Sequence, residues 1–116
     1  SIMYSKFISP VGITLKDACI KIQLNDCRGL ILERGGILHG ILSEGDIIRA
    51  FINGARPSGL IDEYVNVSAI SLMDTDLKRR AKFLKLYNQG ITIVPVVDNL
   101  KKIVSIMTIN GEINAS

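Results

Sequence analysis

The sequence predicts an α+β fold in which two strand-helix-strand-strand(-helix) repeats pack as a pseudo-two-fold pair. Three observations carry this. Apolar residues make up 47% of the 116, yet there is no Trp and only 5% is aromatic, so the core must be built from Ile, Leu and Val, many of them suited to strands. The order helix, apolar strand, tight turn, return strand occurs twice, and neither half alone could bury much core. Finally, Gly40-Ile41-Leu42-Ser43-Glu44-Gly45-Asp46-Ile47-Ile48-Arg49 reads as a strand entering a helix through a polar turn. A weakened copy follows 65 residues later at Ser105-Ile106-Met107-Thr108-Ile109-Asn110-Gly111.

In the first half, Thr14 reads as an N-cap with Asp17 in the capping-box position. Leu15, Ala18, Cys19 and Ile22 then share one buried helical face. The helix should stop between Asn25 and Gly29. Leu30-Ile31-Leu32 is a short apolar strand, Gly35-Gly36 supplies the positive φ of a tight hairpin, and Ile37 to Leu42 returns. Asp46 to Asn53 reads as a second helix, ended by Asn53-Gly54. Arg56-Pro57-Ser58-Gly59 is the linker, placing one repeat in residues 1–60 and the other in residues 61–116.

In the second half, Val65 to Ile70 alternates like a strand. Asp74 or Thr75 is expected to cap a helix from Asp76 to Asn88 that ends at Gly90. Its cations Lys78, Arg79, Arg80, Lys82 and Lys85 are assigned to the solvent side, with Leu77, Ala81, Leu84 and Tyr87 on the other face. Ile93 to Asp98, a turn at Asp98-Asn99 and Lys102 to Met107 complete the unit without a following helix. Pro95 implies an edge strand, or a position facing away from the ladder. The chain starts at Ser1 rather than Met and stops at Ser116 soon after a strand, so a piece of a longer protein is expected.

Composition narrows the function. No apolar run approaches the roughly 18 residues that span a bilayer. Cys19 and Cys27 fit neither a redox nor a zinc spacing, and read as free buried thiols in a reducing cytoplasm. A net charge of +3 permits contact with phosphates without demanding nucleic acid, for which no helix-turn-helix, stacking aromatic set or zinc knuckle is present. His39, the only histidine, has no Cys nearby to build a metal site. It would also stand about 13 Å from Ser43 along a strand. Enzymatic activity in this chain, and a bound metal, are therefore not expected.

Two segments point to a known family. Gly90-Ile91-Thr92-Ile93-Val94-Pro95-Val96-Val97-Asp98 resembles the G-x-x-x-x-P-V-V-D strand of CBS domains. Gly40 to Ile47 resembles their G-h-h-T/S-x-x-D-h segment, where h is apolar. From Lys6 to Gly111 the chain looks like a tandem CBS pair, or Bateman module. More narrowly, Ser43 to Arg49, with Gly54 and Tyr64-Val65-Asn66, is similar to CBS pairs that precede sugar-phosphate nucleotidyltransferase domains.

The resemblance implies a cytoplasmic regulatory module whose ligand, AMP, ADP or ATP, sits between the repeats, with no cofactor required. Ser43 would give a hydrogen bond to phosphate and Asp46 would accept from the ribose, within a segment that includes Glu44. Arg49, one turn into the helix, is a candidate phosphate contact. Backbone around Leu30 and Ile31 would line the base. In the second repeat Thr108 keeps the hydroxyl, but Gly111 stands in place of Asp and Ser105 in place of Gly, so at most one ordinary site is expected, on the first repeat. A homodimer formed through the helices and a downstream catalytic domain are the implied partners. A nucleotide sugar or S-adenosylmethionine would also suit a hydroxyl and a carboxylate, and a ligand-free dimerisation module is the rival reading. Ser43-x-x-Asp46 equally fits a helix capping box, worth about 1 kcal/mol without any ligand.

Overall fold

The computed structural model describes residues 2–115, Ile2 by its backbone alone; Ser1 and Ser116, where the expected cut ends fall, lie outside the described residues. After a short helix α1 (Ile2–Ser5), the chain builds β1 (Ile8–Pro10), α2 (Leu15–Asn25), β2 (Gly29–Arg34), β3 (Ile37–Ser43) and α3 (Glu44–Ile52). The second unit contains β4 (Leu72–Met73), α4 (Arg79–Asn88), β5 (Ile93–Val97), β6 (Ile103–Thr108) and β7 (Gly111–Asn114). The strands form two sheets, ordered β1-β2-β3 and β4-β5-β6-β7. In each sheet the first pair is parallel, bridged by a helix, and the next is an antiparallel hairpin. This is the mixed α+β, two-unit architecture that the sequence predicted.

Local chemistry explains the first unit. Thr14 takes an extended conformation and its hydroxyl accepts from the Asp17 N–H at 3.1 Å, so α2 starts where the capping pattern places it. Leu15, Ala18 and Ile22 are buried, and the helix ends at Asp26 in the left-handed region. Gly35 and Gly36 take φ of 59° and 84°, the two positive values that a tight hairpin requires. That turn also joins the units: Gly36 O accepts from Ile103 N–H at 3.0 Å, and Leu38 N–H donates to Lys101 O at 2.9 Å.

Three apolar clusters make the interior. Leu15, Leu30, Leu32, Leu42 and Ile47 belong to the first unit, joined by Ile61 from beyond the linker; Leu72, Phe83, Val94, Val96 and Met107 belong to the second. Between them Phe7, Ile31, Ile93, Val97, Ile103 and Ile106 form a shared core. Each side chain of this size contributes about 1.5–3 kcal/mol on burial, so the shared cluster is what holds the units together.

Several expectations need correction. Val65 to Ile70 is not a strand. Asn66 Oδ1 accepts from Ser68 N–H at 3.0 Å and turns the chain, leaving Val67 exposed, and the strand proper is the shorter β4. Helix α3 begins at Glu44, two residues early, because Ser43 is its cap. Helix α4 begins at Arg79, because Asp76 spends its carboxylate on the Lys78 N–H in a preceding turn. Lys78, Lys82 and Lys85 are exposed as expected, but the apolar face assigned to this segment is not the buried one. Leu77 is 95% exposed and Ala81, Leu84 and Tyr87 face solvent, whereas Phe83 is wholly buried. Two of the expected solvent cations turn inward: Arg80 donates to Thr108 O and Ile109 O, and Arg79 pairs with Glu112 of β7. Pro95 lies in an inner strand, but β4 pairs only with Val96 and Val97, so the proline precedes that ladder. Cys19 and Cys27 are free thiols, as expected, but half-buried rather than buried.

Candidate functional site

The turn from β3 into α3 is fixed by its own side chains. Ser43 N–H donates to Asp46 Oδ2 at 2.8 Å, and Asp46 N–H donates to Ser43 Oγ at 3.1 Å, a complete capping box. Arg49 Nη2 donates to Asp46 Oδ1 at 2.7 Å. Burial pushes the Asp46 carboxyl up, but hydrogen bonds from Ser43 and Arg49 outweigh it and hold the group below the usual carboxylate range. Glu44 N–H donates to Arg28 O at 2.9 Å. Three of the four N–H groups from Ser43 to Asp46 are thus bonded within the chain, and the turn is less open to an anion than its sequence implied.

Beside this turn lies a cleft of about 520 Å³, within the range of small-molecule sites. Ser43, Glu44, Gly45 and Asp46 form one wall, with Arg28, Gly29 and Ile41 beneath them. Gly90, Ile91, Thr92 and Ile93, leading into β5, form the opposite wall, and Asn66, Ala69 and Ile70 close one side. The cleft therefore sits between the units. Two close approaches shape it. A Cβ on Gly40 would fall 2.7 Å from Asn66 O, so only glycine lets the connecting segment lie on β3, where Ile41 and Asn66 exchange backbone hydrogen bonds of 3.1 and 3.0 Å. A Cβ on Gly29 would fall 2.9 Å from Ile93 Cγ2 across the unit boundary. The Thr92 hydroxyl donates to the Cys27 carbonyl over the same boundary.

Of the residues singled out from the sequence, Ser43, Glu44 and Asp46 line this cleft. Arg49 lies outside it, its guanidinium packed over Gly45 and bound to Asp46. Leu30 and Ile31 are wholly buried in the first and shared cores, and the wall expected of them is made instead by Arg28, Gly29 and Ile41. Thr108 is buried in the second unit, where its hydroxyl accepts from the Asn110 N–H at 3.2 Å. There β6 turns back into β7 rather than into a helix. Ser105 Oγ donates to Glu112 at 2.8 Å, and Arg79 holds that carboxyl below its usual range, with burial opposing and Ser105 helping. Sequence reasoning missed Asn66 and Arg28 as wall residues. Asn66 stood inside an apparent strand, and Arg28 takes φ 56°, a conformation no side-chain pattern announces.

Chemically, the cleft offers apolar walls at Ile41, Ile91 and Ile93 and a polar end at Ser43, Glu44 and Asp46. The Ser43 hydroxyl accepts through a lone pair and keeps its proton to donate, and each Asp46 oxygen retains accepting capacity beyond the bond it makes. An apolar flat ring with a hydroxylated, polar tail fits that division. Among the described residues, no group of three or more His, Cys, Asp or Glu side chains is placed to hold a metal. No described helix is long and apolar enough to cross a membrane.

Comparisons with known proteins agree with this fold. Residues 3–53 match the family model described as CBS domain. No curated protein matches the chain. Among solved structures, a CBS domain protein from Pyrobaculum aerophilum complexed with AMP is 22% identical with a TM-score of 0.72, covering 90% of this chain and 80% of that one. A CBS domain pair in complex with 5′-methylthioadenosine and S-adenosyl-L-methionine is 23% identical with a TM-score of 0.68, covering 88% and 80%. The cytosolic domain of the Mg2+ channel MgtE in complex with ATP is 23% identical with a TM-score of 0.66; it aligns over 90% of this chain but only 42% of its own. The chain has the fold of a CBS domain pair, with the CBS domain model matching the first of its two units.

Proposed function

We propose that this chain is a regulatory module that senses adenine nucleotides in the cleft between its two units. The cleft itself carries the reading: a cavity of nucleoside size that has apolar walls from both units and Ser43 and Asp46 at one end. Three structural relatives, complexed with AMP, with ATP, and with S-adenosyl-L-methionine and 5′-methylthioadenosine, support an adenosine-containing ligand. A ligand touching both walls would change how the units sit together and bias a neighbouring domain. We place that module in the cytoplasm, beside a catalytic domain of the sugar-phosphate nucleotidyltransferase kind, on the likeness of Ser43 to Arg49 and Tyr64 to Asn66 to such modules. Reading the gene beyond Ser116 tests the neighbour. Exposed Ile20 and Leu24 on α2 and Ile48, Phe51 and Ile52 on α3 support a homodimer formed through these helices, which light scattering tests.

Isothermal titration with AMP, ADP and ATP tests the sensing role. Saturable binding by the wild-type chain is expected, weakened in Asp46→Asn, which keeps an acceptor for the Ser43 N–H. No binding at millimolar nucleotide would refute it. One observation favours a second reading, a ligand-free dimerisation module: both Asp46 oxygens are already bonded within the chain. That reading expects a dimer whose melting temperature does not respond to nucleotides.

A further inference from the structure

Resting on the adenine-nucleotide reading above, we infer that the cleft selects adenosine ligands bearing a single phosphate, with Arg28 binding that phosphate and Glu44 repelling a longer chain. The basis is the balance of unpaired charge. Four charged residues stand at or beside the polar end: Arg28, Glu44, Asp46 and Arg49. Asp46 and Arg49 neutralise each other at 2.7 Å. Arg28 and Glu44 are exposed, and their side chains form no ion pair or hydrogen bond among the described residues. Their backbones are tied together at 2.9 Å, so the lone cation and the lone carboxylate stay beside one another.

Arg28 holds φ 56°, a conformation that glycine or asparagine adopts with less strain. Asp26 and Lys101 hold similar values in turns outside the cleft, so the conformation matters here for its result: it sets Arg28 in the cleft wall. A guanidinium can grip one phosphate through two parallel hydrogen bonds, and the Ser43 proton supplies a third. A second and third phosphate bring further negative charge. Among the described residues no other unpaired Lys or Arg lines the cleft, and the adjoining α2–α3 groove, which Arg28 and Glu44 both border, adds only the carboxylate of Asp26, so a tail extending into it meets net negative charge. Like charges forced together in this way discriminate against the wrong ligand.

The test is calorimetric titration of the full chain with adenosine, AMP and ATP at one ionic strength without Mg2+, using wild type, Arg28→Asn and Glu44→Gln. Asparagine suits the left-handed backbone, so the first variant removes charge without threatening the fold. Wild type should bind AMP about tenfold more tightly than either adenosine or ATP. Arg28→Asn should reduce AMP to the affinity that the same variant shows for adenosine, and Glu44→Gln should bring ATP towards AMP. ATP binding as tightly as AMP, or an AMP preference surviving in Arg28→Asn, overturns the charge assignment and leaves the adenine site standing. Failure of all three ligands to bind overturns both.

Discussion

Replacing Gly40 with alanine tests how the cleft is closed. The new Cβ would lie 2.4 Å from Val65 Cγ1 and 2.7 Å from Asn66 O. The valine methyl can rotate aside, but Asn66 O is backbone, so the connecting segment must retreat from β3. Its two hydrogen bonds with Ile41 would stretch, at about 1 kcal/mol each. Overpacking costs typically about 1–3 kcal/mol, of which this loss is the larger part. Reduced freedom of the unfolded chain returns about 0.4–1 kcal/mol. A net loss of about 2 kcal/mol should lower the melting temperature by about 8 °C in a chain of this length. Amide exchange should quicken at Ile41 and Asn66 and stay slow at Leu30 and Leu42. Gly45→Ala is the contrasting substitution, because its Cβ meets only the far end of the exposed Arg49 side chain, and helical alanine should hold or raise stability. Circular dichroism melts and hydrogen exchange read both variants. A Gly40→Ala protein melting within about 2 °C of wild type, with exchange at Asn66 unchanged, would refute the reasoning.

Two further predictions follow from the second unit and from the capping box. Phe83→Ala should cost about 3–5 kcal/mol in urea denaturation, since the ring is wholly buried; Leu77→Ser should stay within about 0.5 kcal/mol, and the opposite ranking would restore the face of α4 that the sequence suggested. Because the Asp46 carboxyl is depressed in the folded chain, its contribution is complete above its unfolded value of about 3.9 and disappears as pH falls below it through the folded value. Stability measured between pH 5 and 2 should therefore decline less in Asp46→Asn than in wild type, and parallel declines would show that Asp46 contributes nothing there.

The parts of the fold that were legible in sequence are those decided by neighbours along the chain. Thr14 caps α2 and Gly35-Gly36 turns the first hairpin because each supplies the group its own turn requires. The failures have a different cause. Helix α4 has cations and apolar residues on several sides, and which side is buried was settled by partners elsewhere: Thr108 O, Ile109 O and Glu112 draw Arg80 and Arg79 towards β6 and β7. Strand β7 did leave a mark in the sequence, since Asn110-Gly111 before an alternating stretch is a hairpin signal, but by likeness to the first repeat a helix belongs at that place. At the cleft, Ser43, Glu44 and Asp46 were found because they belong to one continuous segment. Arg28 and Asn66 come from separate segments, brought to the site by a left-handed backbone and by the absence of a side chain at Gly40.

The two units therefore differ for a local reason with a functional consequence. Three residues after Ser43, the Asp46 carboxylate takes the Ser43 N–H, closes the capping box and starts α3 beside the cleft. Three residues after Thr108 stands Gly111, which has no carboxylate to give and takes φ 130° instead. The Thr108 hydroxyl then accepts from Asn110 N–H, and the chain returns as β7, with Ile113 packed against the shared core. One repeat presents a helix start with a hydroxyl and a carboxylate to the cleft; the other spends its hydroxyl on its own hairpin. For the proposed sensing role the expected stoichiometry is a single ligand per chain, and calorimetry that returned two equivalent sites would contradict it, because the second unit has no counterpart of the Ser43–Asp46 turn to supply one.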